Sequence, residues 1–350
     1  MEVFAATLWA FFASFLSIRL AKPIAYRTGL VDKPNERKHH QGAIPLVGGI
    51  SIFIGVMTAM KIFIPNSTLI NLYLLSSAII LLLGVLDDRN DLPVSYRMAV
   101  QSLSACIMIF GADLYLETLG GIFGFFEFSL GHLGILVTIV AVIGAINAFN
   151  MVDGIDGLAG MLSIVSFSGL VILFILGNSI FWVIPILFIS AILAYLMFNL
   201  GWPSKRVNKI FMGDAGSMLI GLTIVWLLVL GSQGSTPAFR PVTALWIIAL
   251  PLMDMAAIMI RRVRKGQSPF KPDRDHLHHI CMRAGLSSNQ SLFTITLISA
   301  LIVIFGIIGE IASIPEWIMF LFFIFLFMAY SKAILNIWKV VTWIRSKRQI

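Results

Sequence analysis

Residues 132–156 read HLGILVTIVAVIGAINAFNMVDGID. From 133 to 146 the only polar side chain is Thr138, and then two amides and two carboxylates arrive together. A helix rises about 1.5 Å per residue, so about 20 apolar residues cross a hydrocarbon core of about 30 Å. The segment therefore predicts a transmembrane helix over 132–149 that delivers Asn147, Asn150, Asp153 and Asp156 to one membrane edge.

The same pattern recurs along the chain. Runs of this kind lie near 2–21, 45–64, 69–86, 97–113, 132–149, 159–176, 179–199, 217–230, 242–260, 292–309 and 315–337, about eleven spans in all. The third and eighth are the weakest, because each is short or abuts a polar motif. The composition agrees: 59% hydrophobic and 12% charged residues over 350 positions is far from a soluble balance. The expected fold is an all-α polytopic membrane protein, with 1–350 forming one integral-membrane domain. The first run carries Arg19 and Lys22 after it and no basic flank before it, which predicts a retained anchor rather than a cleaved signal.

Basic residues set the orientation. Arg27, Lys33, Arg37, Lys38, Arg89, Arg97, Lys205, Arg206, Lys209, the run Arg261 to Lys265, Lys271, Arg274, Arg283, Arg345, Lys347 and Arg348 fall on one side, whereas the opposite loops offer only Arg240, with Lys61 near a helix end. The positive-inside rule then places the N-terminus outside and the C-terminus in the cytoplasm. The net charge of +8 reflects this topology and attraction to anionic lipid, with no soluble basic domain to suggest nucleic acid. Two cysteines, Cys106 in a span and Cys281 in a cytoplasmic loop, predict neither a disulfide nor a thiolate zinc site. In the longest outside loop, 115–119 and 126–130 alternate apolar and polar residues around Gly120, Gly121 and Gly124, the signature of a short hairpin.

The chemistry is carried by the cytoplasmic loops. On this topology Asp87, Asp88, Asp153, Asp156 and Asp214 all reach the same face, and ionisable groups at a membrane mark a site. Clustered carboxylates suit magnesium, which shares its shell with substrate phosphates. The first loop, DKPNERKHHQGAIPLVGG at 32–49, brings Lys33, Arg37, Lys38, His39 and His40 and ends in glycines that let backbone pack closely or approach a ligand. In GVLDDRNDLPVSYR, adjacent helical residues point about 100° apart, so Asp87 and Asp88 face different partners, while Asp88 and Asp91 share a face if the turn continues. A solvated ion-pair cluster with Arg89 and Arg97 is the plain alternative. Asn147 and Asn150, like Asp153 and Asp156, are three apart, a spacing that aligns side chains on a helix. A tight turn is the alternative there. Asp214, between Gly213 and Gly216, stands at a helix N-terminus that favours anions, as a cap, a metal ligand or both. In the fifth loop Arg261, Arg262, Arg264 and Lys265 could equally be a lipid-headgroup stripe, while His276, His278 and His279 match no zinc spacing, so hydrogen bonding of imidazole and guanidinium groups to phosphate is the better reading there. Asp254 is expected to be a structural partner near Arg261.

No phosphate loop and no dinucleotide fingerprint occurs, so a nucleotide must bind between loops. A transporter would also use many spans, but its site lies near the bilayer midplane rather than at one edge.

Taken jointly, NAFNMVDGIDG, FMGDAGS, VTALWIIALPLMDM and SPFKPDRDHLHH resemble the polyprenyl-phosphate N-acetylhexosamine-1-phosphate transferase family, over nearly the whole chain. Leu277 interrupts the three-histidine run usual in the muramyl-pentapeptide branch, which favours the N-acetylglucosamine branch. Asp91 stands where the family often has Asn or Lys, which argues against a direct role. The resemblance implies transfer of N-acetylglucosamine 1-phosphate from UDP-N-acetylglucosamine to undecaprenyl phosphate in a bacterial inner membrane, with release of UMP. It implies Mg2+, with Mn2+ as substitute, on Asp214, Asp87, Asp88 and Asn150. Asp153 and Asp156 would organise the centre, and Asn147, Lys209, Arg262, Arg274, His276, His278 and His279 would meet the donor. A homodimer is compatible with it, as is another UDP-N-acetylhexosamine as donor.

Overall fold

The structure is a computed structural model that describes residues 1–34, 42–202, 209–269 and 276–336. Helices dominate: α1 (Glu2–Thr28), α2 (Gly48–Phe63), α3 (Thr68–Asn90), α4 (Val94–Cys106), α5 (Leu133–Val152), α6 (Leu158–Leu176), α7 (Val183–Asn199), α8 (Gly213–Ser232), α9 (Pro241–Ile247), α10 (Ala249–Arg264), α11 (Leu277–Arg283), α12 (Ser288–Ile311) and α13 (Glu316–Leu335). Among the described residues, 9 helical stretches are long and apolar enough to cross a membrane, counting α4 with its terminal wide turn to Gly111 as one. The α9–α10 pair supplies a further bent span, and α2, at 16 residues, is the short remaining one. Ten of the eleven expected runs are helical crossings and the one at 242–260 is the bent α9–α10 pair, so the chain is a multi-pass membrane protein.

The eighth span, expected to be weak, is the centre of the bundle. In α8, 94% of an 18-residue stretch is buried, because α2, α3 and α5 all pack on it. Its small residues permit that approach: a Cβ on Gly49 would fall on the Gly216 backbone, and one on Gly84 on the Ala215 backbone. The third span is also longer than expected. Its helix runs on through Asp87 and Asp88 to Asn90, so the acidic pair occupies a last helical turn rather than a loop.

The 78° bend between α9 and α10 has a cause in the sequence. Pro251 lacks the N–H that would bond the carbonyl of Ile247 four residues back. Ser166 of α6 donates to that carbonyl at 2.8 Å instead, so the break leaves no orphaned acceptor there, as a membrane interior requires.

On the side opposite the acidic motifs, the expected hairpin forms, with Thr118 bridging Ser129 and Leu119 N–H donating to Phe128 O at 2.9 Å. Gln233 accepts from the N–H groups of Glu117 and Thr118, and Glu316 from Gly121, so the hairpin is bolted to the helix ends beneath it. Arg240 pairs with Glu310 at 3.1 Å and donates to the carbonyls of Gly309 and Ile314, which closes the C-terminus of α12. Residues 37–40, 205, 206, 271, 274 and 345–348 lie outside the described residues, as does the Arg274 donor-binding expectation.

Candidate active site

The acidic motifs converge where α3, α5 and α8 meet. The first loop reaches them through backbone: Phe211 N–H donates to Pro45 O at 2.9 Å, and the N–H groups of Gly48 and Gly49 donate to Phe211 O and Met212 O at 3.0 Å. Close packing is therefore what the PLVGG glycines serve. This docking holds the turn before α8 in place.

Asp87 and Asp88 diverge as their helical spacing predicted. Asp88 turns to the N-terminus of α8, where its Oδ1 accepts from Asp214 N–H at 2.8 Å and its Oδ2 from Ala215 N–H at 3.2 Å. It is a cap supplied by another helix, satisfying two N–H groups that α8 cannot pair internally. Asp87 is buried, with Oδ2 paired to Arg97 at 2.8 Å and Oδ1 accepting from Leu92 N–H at 2.8 Å. The ion pair considered for this motif is thus real and, unlike a solvated one, has its carboxylate buried. Asp91 ends α3 in a left-handed conformation (φ 51°), so the turn does not continue and it shares no face with Asp88.

Asp214 stands in the first turn of α8, and its Oδ1 accepts from Asn150 Nδ2 at 2.9 Å. Asn150 also reaches Ser217 at 3.1 Å. Asp214 lies against the Asp87 carboxylate and within electrostatic reach of Asp88, Asp153 and Arg97. Carboxylates in such contact repel unless a proton or a cation is shared between them. No three His, Cys, Asp or Glu side chains converge as a ready metal shell among the described residues. One or two carboxylate oxygens beside room for phosphate is, however, the donor set magnesium uses with nucleotides. By this test Asp214 fits best, since both oxygens of Asp87 and of Asp88 already accept hydrogen bonds.

The third loop departs from its expected form. The helix stops at Val152, and 153–157 is a tight turn in which Gly154 N–H donates to Val152 O at 2.9 Å, so Asp153 and Asp156 are not aligned on a helix. Asp156 pairs with Lys209 at 2.5 Å, and the ammonium sits 5.1 Å from the Phe211 ring centroid. Asp153 is reached by solvent yet has protein around it on most sides. That surrounding, then the charges of Asp214 and Asp156, push its carboxyl up to about 7. Asn147 does not face the site with Asn150: it donates to Gln101 of α4 at 2.9 Å and to Ile143 O.

A raised carboxyl sets a stability slope. The folded state keeps the Asp153 proton to about pH 7 while an unfolded chain loses it near pH 4, so this group's contribution falls as pH rises between those values. Asp153→Asn is therefore expected to raise the melting temperature at pH 8 and leave it unchanged near pH 4, measured in detergent without divalent cations.

Histidines from the fifth loop close the other flank. His276 Nδ1 bonds Asp254 Oδ2 at 2.9 Å, so the partner of Asp254 is this motif rather than the neighbourhood of Arg261. The His278 ring lies parallel to His276, 5.9 Å between centroids, and packs on Gly154, where any Cβ would collide with it. Burial, then the charges of His279 and His276, lower the His278 pKa to about 3, so it stays a neutral, packed imidazole. His279 contacts His278 at 4.2 Å. Arg262 is buried and donates to Pro269 O at 2.6 Å, bracing the turn it belongs to. Burial, then the Asp254 charge, raises the Cys281 thiol.

The profile of glycosyl transferase family 4 matches residues 70–232, which spans the three acidic motifs. A protein of Pasteurella multocida is 50% identical over 342 residues, covering 97% of this chain and 95% of its own. This chain belongs to glycosyl transferase family 4. Proteins of Haemophilus influenzae (47% identical, 97% of this chain and 96% of that one) and Escherichia coli K12 (48%, 97% and 93%) also align nearly end to end. All three are named undecaprenyl-phosphate alpha-N-acetylglucosaminyl 1-phosphate transferase.

In this family 4 chain, two site-building residues went unnoticed in the sequence. Asn199, at the end of α7, accepts from Gly157 N–H at 2.6 Å and donates to Ile210 O at 2.9 Å, tying the third loop to the fourth. Ser217 supports Asn150. A polar residue ending an apolar run, the signal used for the aspartates, would have found Asn199.

Proposed function

We propose that this chain transfers N-acetylglucosamine 1-phosphate from UDP-N-acetylglucosamine to undecaprenyl phosphate and releases UMP, at the cytoplasmic face of a bacterial inner membrane. The observation that supports this most is end-to-end identity of 47–50% to relatives named for that transfer, in a chain whose acidic motifs gather around Asp214. The positive-inside rule supports the orientation.

Magnesium, when bound, would be held by Asp214 with Asn150 beside it and would neutralise charge on the donor diphosphate, with manganese as substitute. Phosphoryl transfer is catalysed mainly by positioning and charge neutralisation. Asp88 positions Asp214 by fixing the start of α8, and Arg97 holds Asp87 in place. Lys209, in a half-exposed ion pair of small net worth, is free in energy terms to exchange Asp156 for a donor phosphate. A phosphate monoester has a second pKa near 6, so the lipid acceptor is mostly dianionic at pH 7 and attacks without a strong base. An oxygen of the lipid phosphate forms a bond to the sugar-linked phosphorus, the diphosphate bridge breaks, and its electron pair leaves with UMP.

Purified protein given radiolabelled UDP-N-acetylglucosamine, magnesium and polyprenyl phosphate is expected to yield labelled lipid and UMP in equal amounts, and no UMP without the lipid. A stoichiometric UMP burst from donor alone would show an enzyme-phosphate intermediate instead. Absence of any lipid product would overturn the function.

A further inference from the structure

The buried group Asp254, Tyr330 and His276 performs no step above, yet it joins three elements at the flank of the site. Asp254 of α10 is 2% exposed and accepts from Tyr330 of α13 at 2.6 Å and from Leu277 N–H at 3.2 Å, both at Oδ1. Its Oδ2 bonds His276 Nδ1 at 2.9 Å. A backbone N–H is only a donor, and the phenol donates here too, so Oδ1 accepts twice; with Asp254 as a carboxylate, Oδ2 likewise offers only lone pairs. The proton on the His276 contact must then reside on Nδ1. With Nδ1 committed, Nε2 is the atom left for a ligand. The His276 ring stacks on His278, and His278 packs on Gly154 beside Asp153, so the orientation set by Asp254 is carried to the acidic turn.

We infer that Asp254 and Tyr330 are positioning residues: they keep the His276 proton on Nδ1 and hold Nε2 for the diphosphate of the bound sugar nucleotide, to which Nε2 donates once it takes up a second proton, the Asp254 carboxylate offsetting the imidazolium charge. This rests on the donor reading proposed above. A carboxylate behind a histidine that serves a ligand is a general device, because it sets both tautomer and ring orientation. Tyr330 adds to it from the last span, whose ring also packs beside Ala257 and Ile280. The competing view, a staple that only holds α10 to α13, predicts lost stability and nothing specific to the donor.

Tyr330→Phe removes one hydroxyl and keeps the ring. Steady-state transfer is expected to show donor KM raised about tenfold, with acceptor KM close to wild type and a melting temperature lowered only by the one hydrogen bond lost to Asp254. In a His276→Ala background the same change should add nothing. A second arm needs no substrate: nitrogen NMR of protein labelled at histidine, with His276 assigned by His276→Ala. Its Nδ1–H signal is expected to shift in Tyr330→Phe and to lose the fixed tautomer in Asp254→Asn. An unchanged His276 signal in both variants overturns the inference, as does a Tyr330→Phe defect that is equal with and without His276 or that falls on kcat alone. If the wild-type protein transfers nothing from UDP-N-acetylglucosamine, the donor reading fails, and the NMR arm still decides whether Asp254 and Tyr330 set the tautomer.

Discussion

Asp214→Asn will lower turnover at least about a hundredfold while leaving the protein as stable as wild type or more so. The loss follows from charge. A carboxylate that binds a metal stabilises a phosphoryl transition state by several kcal/mol, and a hundredfold is about 2.7 kcal/mol. The retained stability follows from the contacts. Asparagine keeps an oxygen for Asn150 Nδ2, which bonds Asp214 Oδ1 at 2.9 Å. It also removes a negative charge that lies against Asp87 and near Asp88 and Asp153. Turnover at saturating donor, acceptor and magnesium, measured beside a thermal melt in detergent, tests both halves. Wild-type turnover in this variant would take Asp214 out of the site.

Asp88→Asn is expected to lose turnover to a similar degree but with a lower melting temperature. Its two oxygens accept from the consecutive N–H groups of Asp214 and Ala215. An amide has one oxygen for those two donors, and its NH2 would face the other. Losing a cap costs about 0.5–2 kcal/mol, and a buried N–H left unpaired costs about 1–3 kcal/mol. Opposite movements of the two melting temperatures would separate a residue that bears charge at the site from one that places its neighbour. A melt of Asp88→Asn that matches wild type would disprove the capping role.

That division was partly legible in the sequence. The 100° step between adjacent helical residues already sent Asp87 and Asp88 to different partners, and it held because α3 continues through both. The same reasoning failed for Asp153 and Asp156, since helical spacing means nothing once the chain leaves the helix at Val152. For Asn147 and Asn150 the helix was right and the conclusion was not: α4 takes one amide and α8 the other. Asp254 was recognised as structural, but its partner was sought close in sequence, near Arg261. The residue it holds, His276, lies 22 positions away and returns through tertiary folding.

By itself the sequence determined that the chain crosses a membrane many times and where nearly every crossing lies. Hydrocarbon tolerates only backbone whose polar groups are bonded within the segment, so apolar runs of sufficient length must become helices. It also determined that the acidic motifs share one edge, because alternating crossings and the basic loops fix sides. Tertiary structure decided which donors reach each carboxylate. A side chain's role depends on which donors reach it, and here Asp87 is taken by Arg97 and Asp88 by the N-terminus of α8. Those donors come from other helices brought close by the glycines at 49 and 84. No spacing within one segment encodes those approaches, since they depend on how separate helices pack.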